Sequence, residues 1–339
     1  MAKGAGSVAT AAPLVGIEAV RVAAAALRGI AIRTPLMPFG PTRDRRFLKA
    51  ESLQPIGAFK IRGAYNAVAS LSPDERRRGV ITYSSGNHAQ GVARAARLLG
   101  APAVVVMPSD APALKKARVE ADGAEVVVVG PSSEERQRVA EGLAAERGLA
   151  IIPPFDDDRI IAGQGTVGLE IVEDLPDVAA VLVPIGGGGL ASGVAVAVRT
   201  LAPGARVIGV EPELAADARQ SLAEGRIVRW AAADVSRTIA DGTRTTALGK
   251  RTFAHLSALL DRVVTVPESQ IAAAVRLAAE ESRLVVEPSG ALSIAALAFH
   301  AAELGLVDAD GPVVAVVSGG NVDPARYREY LEAPIPPRG

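Results

Sequence analysis

Lys60 lies in the run Gln54-Pro55-Ile56-Gly57-Ala58-Phe59-Lys60-Ile61-Arg62-Gly63-Ala64, where a loop-like Pro-Ile-Gly step gives way to an amphipathic stretch. From there an amine can reach a buried aldehyde, which makes Lys60 a candidate for a Schiff base. Taken alone, a lysine beside an arginine at a helix start is an ordinary solvated or phosphate-contacting charge. Three further segments change that reading. Pro184-Ile185-Gly186-Gly187-Gly188-Gly189-Leu190 follows an apolar strand pattern and precedes a helical one at 191–201. Its backbone amides therefore converge at a helix N-terminus and make an anion cradle. Glycine admits close approach of a phosphate, the spacing is wrong for the dinucleotide pattern G-x-G-x-x-G, and a mere turn needs fewer glycines.

Ser84-Ser85-Gly86-Asn87-His88-Ala89-Gln90-Gly91 also falls between a strand and a helix. Hydroxyls, an amide side chain and backbone donors then gather at a helix start, an arrangement that grips a carboxylate, although an isolated Ser-Gly-Asn is an ordinary N-cap. His88 is read as filling a packing and hydrogen-bonding role rather than a catalytic one, and His255 and His300 as structural. Val316-Val317-Ser318-Gly319-Gly320-Asn321 ends the last strand, and α/β sheets bind ligands beyond the carboxyl ends of their strands. Glu211 and Asp217 flank a short turn after a strand. Two carboxylates and a carbonyl can bind a hard cation with waters completing the shell, while spacing alone describes ordinary surface acids.

Those segments need a frame. Short β-branched runs at 80–83, 103–107, 125–129, 180–185, 206–210, 262–266 and 313–317 alternate with Ala-, Leu- and Arg-rich helical patterns such as 88–99 and 132–147. Continuous apolar strands separated by helices predict an α/β protein with parallel sheets covered on both faces. Pro153-Pro154 breaks the pattern before a second series begins near Ala180. The expected organisation is a small domain, 77–153, inserted into a large cofactor-binding domain made of 1–76 and 154–339. There is no internal repeat, and the Pro-rich tail from Ala333 is expected to fray.

A length of 339 residues suits two domains. Lys plus Arg equals Asp plus Glu at 37 each, which gives no electrostatic case for nucleic acid or an anionic membrane and favours a small-molecule partner. Absence of cysteine excludes a disulfide framework, thiolate metal sites and cysteine nucleophiles, and fits a cytoplasmic enzyme. The longest uncharged run, 178–198, has the length of a membrane span, but Pro184 and the glycines interrupt it. The Ala-rich N-terminal segment carries Glu18, Arg21 and Arg28 at helical spacing and reads as a surface helix rather than a secretion signal.

The order of Gly-Ala-Phe-Lys60-Ile-Arg-Gly-Ala, Ser-Ser-Gly-Asn-His, the four-glycine run and the final Ser-Gly-Gly-Asn resembles that of the fold type II (tryptophan synthase beta-like) pyridoxal-phosphate enzymes. More narrowly, it resembles the serine/threonine dehydratase and serine racemase branch. The resemblance runs over residues 15–325 and takes in Ile161-Ala162-Gly163-Gln164-Gly165-Thr166 and Ile239-Ala240-Asp241-Gly242. It implies that Lys60 holds the cofactor and takes the substrate Cα proton, with Phe59 backing the ring and Asn87 bonding its phenolic oxygen. It further implies that Gly186, Gly187, Gly188 and Gly189 bind the phosphate and that Ser318 faces the pyridine nitrogen. Ser84, Ser85, Asn87 and His88 would receive the substrate carboxylate. Glu211 and Asp217, with the Ala215 carbonyl, resemble a divalent-cation site for Mg2+, Ca2+ or Mn2+.

The implied reaction is ammonia-lyase action on threonine or serine, giving a 2-oxo acid and ammonia, by a homodimeric enzyme. Lys60-Ile61-Arg62, where cysteine synthases carry Lys-Asp-Arg, favours dehydration over β-replacement. Ser85, where threonine dehydratases commonly carry Ala, keeps serine racemase or 3-hydroxyaspartate dehydratase as the alternative, since its hydroxyl can protonate the opposite face. Ala58, in place of the Ser usual before Phe-Lys, argues for the dehydratase.

Overall fold

The computed structural model describes residues 12–41, 45–84, 86–111, 113–130 and 133–338. Ten strands are formed among them. β1 (Leu36–Pro38), β2 (Arg46–Ala50), β7 (Ala180–Pro184), β8 (Arg206–Pro212), β9 (Arg262–Val266) and β10 (Val313–Val317) make a six-stranded sheet in the order β1-β2-β10-β7-β8-β9. Only the edge strand β1 runs antiparallel to its neighbour. β3 (Val80–Tyr83), β4 (Ala103–Pro108), β5 (Glu125–Val129) and β6 (Ala150–Ile151) make a second, wholly parallel sheet in the order β5-β4-β3-β6.

The apolar runs of β7 and β10 are buried throughout because helices cover both faces of the larger sheet. Alternate residues part to opposite sides, as the two-residue period of a strand requires. Leu182, Ala315 and Val317 meet helices Glu268–Ser282 and Pro288–Phe299, while Val181, Val183, Val314 and Val316 meet helices Asp158–Asp174 and Gly189–Leu201. In the smaller sheet Val80, Val105 and Met107 pack with helices Lys60–Ala69 and Asn87–Leu99, and Ile81, Val104 and Val106 pack with helix Ser133–Arg147.

Helix Lys60–Ala69 ties the two sheets together. Its Ala64, Ala67 and Val68 enter the core of the small sheet, and its other side lies directly on helix Asp158–Asp174. A Cβ on Gly163 would lie 2.6 Å from Gly63 Cα, and one on Gly193 would lie 2.4 Å from the backbone nitrogen of Gly165. Three helices thus stack backbone to backbone, which is what the Ala-Gly-Gln-Gly-Thr segment provides. Among the described residues, no helix is long and apolar enough to cross a membrane.

Candidate active site

The candidate residues leave the carboxyl ends of neighbouring parallel strands. β2 and β10 are paired to their last residues, Ala50 opposite Val317, so the loops that follow emerge side by side. They are stitched together: Phe59 N–H donates to Ser318 O (3.1 Å), Gly320 N–H to Gly57 O (2.9 Å), and Ala58 bridges Gly319. Gly57 sits at φ +72°, and a Cβ there would come within 2.5 Å of Asn321 Oδ1, so this turn demands glycine.

The result places Lys60, first residue of its helix, beside Ser318 rather than in solvent. Its Nζ donates to Pro154 O at 2.7 Å and stands 5.2 Å from the centre of the Phe59 ring. Loss of water around the ammonium lowers its pKa to about 8. A sizeable neutral fraction near physiological pH is what an amine needs to attack a carbonyl or take a proton.

The glycine run follows β7. Gly188, at φ +91°, caps helix Gly189–Leu201 with no side-chain bond to the first amides, which leaves them directed outward for an anion. Phe155, next to the carbonyl that holds Lys60, closes one side of the loop. A Cβ on Gly187 would lie 2.1 Å from its ring, and one on Gly186 would lie 3.1 Å from Thr243 Cα on the other side. Only glycine fits between these walls, and the uncapped amides suit a phosphate. Ser318 is buried, with its hydroxyl donating to Ser289 O at 3.3 Å, a long bond that can be given up to a ring nitrogen.

Helix Asn87–Leu99 starts where β3 ends, again with an uncapped N-terminus, at Gly86. Ser84 Oγ accepts from Gly86 N–H at 3.3 Å. Ser85, assigned by sequence both to the carboxylate grip and to the second face, lies outside the described residues. The His88 ring is buried, donates Nε2–H to Ile152 O at 3.0 Å and has its pKa lowered to about 3, first by burial and then by Lys60. It is a neutral packing group, so what His88 offers an anion is its backbone N–H in the first helical turn. His255, which accepts from Val15 N–H and donates to Arg251 O, and His300, held by Gln270 and Glu303, are tied into local structure.

Spacing did not reveal Glu287. It precedes Pro288 at a helix start and looks like a cap, but the structure gives it no capping bond; its Oε1 accepts from Asn87 Nδ2 at 2.6 Å. Burial first, then the charge of Asp241, raise its pKa to about 7, against the pull of Lys115 and the Asn87 bond. Arg62 was missed as well. It is fully buried and donates to Glu51 (2.7 and 2.8 Å) and Glu170 (2.6 and 2.9 Å), while buried Lys49 reaches Glu170 at 2.6 Å. A lone charge in the pattern of β2 or of a helix carries no mark of a partner elsewhere in the chain.

On β8, Glu211 is buried and accepts backbone N–H bonds from Ala218 (2.9 Å) and Arg219 (2.8 Å). A 3-10 turn, Glu213–Ala215, leads to Asp217, whose two buried carboxylate oxygens meet no hydrogen-bond donor among the described residues. Burial first, then Asp217, raise the Glu211 pKa well above the usual carboxylate value, and burial raises that of Asp217 to about 7. No group of three or more His, Asp or Glu side chains in metal-binding array occurs among the described residues, so a cation here would rely on two carboxylates, carbonyl oxygen and water.

The profile of the family described as "Pyridoxal-phosphate dependent enzyme" matches residues 28–319. L-threo-3-hydroxyaspartate ammonia-lyase of Saccharomyces cerevisiae is 43% identical over 303 residues, covering 88% of this chain and 91% of the relative. L-threonine ammonia-lyase of Thermotoga maritima is 42% identical over 315 residues, covering 91% and 76%. The structure of maize serine racemase superposes with a TM-score of 0.88 at 37% identity, covering 94% of this chain and 97% of that one. With the lysine, the glycine cradle and the serine at adjacent strand ends, the chain belongs to the family of pyridoxal-phosphate-dependent enzymes, in its fold type II class.

Proposed function

We propose that the protein is an ammonia-lyase that converts a β-hydroxy amino acid, threonine or serine, to a 2-oxo acid and ammonia. The observation that carries this reading is Lys60, an amine with a pKa of about 8, on the loop that Phe59 N–H ties to the backbone of Ser318, and held by Pro154 O next to Phe155, which walls the glycine cradle. When bound, pyridoxal phosphate supplies the carbonyl that captures the amino group and the conjugated ring that takes up the electron pair released at Cα. In this reading the amides of Gly186, Gly187, Gly188 and Gly189 hold its phosphate, and Phe59 backs the ring. Asn87 donates to the phenolic oxygen. Ser84 and Ser85, with the first amides of helix Asn87–Leu99, orient the substrate carboxylate. Lys60 takes the Cα proton. Ser318, uncharged, does not enforce a proton on the ring nitrogen as an aspartate would, which moderates electron withdrawal and favours loss of the β-hydroxyl. The overall balance is one amino acid to one 2-oxo acid and one ammonium, water being lost and then regained.

The second reading, an amino-acid racemase or 3-hydroxyaspartate dehydratase, is favoured by Ser85 and by relatives of each kind at similar identity. A panel of L-threonine, L-serine and threo-3-hydroxyaspartate, scored by 2-oxo acid release and by chiral analysis of remaining substrate, separates them. Release of 2-oxo acid should dominate. Interconversion of serine enantiomers faster than pyruvate release overturns that order. Ser85→Ala should then cut racemisation by about 100-fold or more, the size of a general acid–base contribution, while elimination persists.

Glu211, Asp217 and the Ala215 carbonyl are assigned to a divalent cation, Mg2+, Ca2+ or Mn2+, on the strength of the buried, donor-free carboxylate of Asp217. The exposed apolar side chains Ile32, Leu53 and Val285, near one another around Gln54 and Gly320, are the face assigned to a second copy in a homodimer, which sedimentation tests. A cysteine-free chain without a membrane-spanning helix among its described residues suits a cytoplasmic address.

A further inference from the structure

Four side chains drawn from four segments form one continuous hydrogen-bond chain whose direction is fixed by its ends. Arg118, on helix Ala113–Ala121 of the small-sheet side, is a donor only; its guanidinium bonds Asn321 Oδ1 at 2.6 Å. That fixes the Asn321 amide, whose nitrogen then spends its hydrogens on Ile56 O and on Asn87 Oδ1, both at 2.8 Å. The Asn87 nitrogen faces the acceptor at the far end, Glu287 Oε1, at 2.6 Å. Among the described residues, Asn87 Nδ2 makes that one bond, which leaves its second N–H for a ligand near Ile56, whose carbonyl shares the Asn321 amide with Asn87.

The ends of the chain are built in. Glu287 is buried and leaves its own helix uncapped to reach Asn87. Gly319 makes room for it, since a Cβ there would lie 2.3 Å from Glu287 Oε1. The helix that carries Arg118 makes a second bond to the large-sheet side, Lys115 Nζ to Asp241 at 2.7 Å, so its seating is anchored twice.

We propose that Glu287 is a positioning residue acting through Asn87, and that Arg118 is the opposite end of the same device. Together they hold the free N–H of Asn87 toward the bound cofactor, and the seating of helix Ala113–Ala121 across the two sheets becomes part of the ring's hydrogen-bonding. The proposal rests on the cofactor assignment made above. With either end removed, the Asn87 amide can turn and present its oxygen where the N–H stood.

The test uses the holoenzyme and the protein stripped of cofactor and titrated with pyridoxal phosphate, comparing wild type with Glu287→Gln, Glu287→Ala and Arg118→Ala. Glutamine keeps an acceptor for Asn87 and should leave the visible band of the bound cofactor and its Kd close to wild type. Alanine should shift that band and weaken the Kd by about tenfold, the loss of roughly one hydrogen bond to a charged partner. kcat should fall while KM for the amino acid stays near its original value. Arg118→Ala should move the band and Kd in the same direction by a smaller factor. An unchanged band and Kd in Glu287→Ala overturns the proposal; if that variant does not fold, an unchanged band and Kd in the surface variant Arg118→Ala overturns it instead. Failure of wild-type protein to bind pyridoxal phosphate would contradict the cofactor assignment itself, and so is distinguishable.

Discussion

Two sets of buried acids flank the candidate site, and the chain treats them in opposite ways. Glu51 and Glu170 lie with Arg62 and Lys49, two acids with two bases, and every charged group meets its counterpart within hydrogen-bond distance. Burial opposes ionisation of Glu51, but the charge and bonds of Arg62, helped by Lys49 and Thr34, outweigh it and hold the pKa below the usual value. Glu211 and Asp217 are just as buried, but no lysine or arginine pairs with them among the salt bridges of the described residues, and both pKa values are raised. Compensation from within the chain makes a structural anchor, here for the helix that starts at Lys60. Uncompensated burial favours the neutral acids, and the proposed cation would supply the positive charge that the chain does not.

The largest effect on stability should come from breaking the compensated set. Arg62→Leu strands the buried carboxylate of Glu51 and leaves Glu170 with Lys49 alone, and it should cost about 3–5 kcal/mol in chemical denaturation, as for removal of one partner from a buried ion pair. A loss below about 1 kcal/mol would erase the distinction between the two regions.

Next in size is the response to cations. Mg2+, Ca2+ or Mn2+ at about 100 times its Kd should stabilise metal-free protein by about 2.7 kcal/mol, read as a rise in Tm, and Asp217→Asn should abolish that rise. In metal-free protein the same substitution should be neutral or stabilising, because it removes an unsatisfied buried charge. Indifference of Tm to both chelator and cation would mean that the pair is no cation site.

The smallest effect is in pH dependence, and its sign differs between the regions. The folded pKa of Glu51 lies below its unfolded value, so its contribution is present above the ordinary carboxylate pKa and is lost as pH falls through the folded one. The folded pKa of Asp217 lies above its unfolded value, at about 7, so metal-free protein should lose stability as pH rises from the ordinary carboxylate value toward 7. Saturating cation should remove that second slope and leave the first. Stability curves between pH 4 and 8 that superpose with and without cation would contradict this.

The sequence carried more of this than usual in one respect and less in another. Seven strands were legible because buried parallel strands are continuous apolar runs bounded by breakers. β1, β2 and β6 were not, and the reasons are physical. β1 and β6 are three and two residues long, too short for any pattern, and β2 carries Arg46 and Lys49, the latter fully buried yet polar by type. Its partner Glu170 lies far along the chain, and nothing local announces such a pairing. The glycine run stood out because four consecutive glycines are locally unusual, whereas Lys60 and Ser318, ordinary in isolation, gained their assigned roles only from the order of motifs that carries the family resemblance. Glu287 was hidden by its resemblance to a helix cap, and the neutral state of His88 depends on burial that no spacing reveals.

The central claim is that Lys60 carries the cofactor and moves the Cα proton. Its direct test is the Lys60→Ala variant, purified and incubated with pyridoxal phosphate, then scored for the visible band and for 2-oxo acid release from L-threonine and L-serine. The account predicts a folded protein with the Tm of the cofactor-free wild type, no lysine-linked band and turnover lowered by at least about 100-fold. A variant that keeps the wild-type spectrum, or releases 2-oxo acid at a comparable rate, would contradict it.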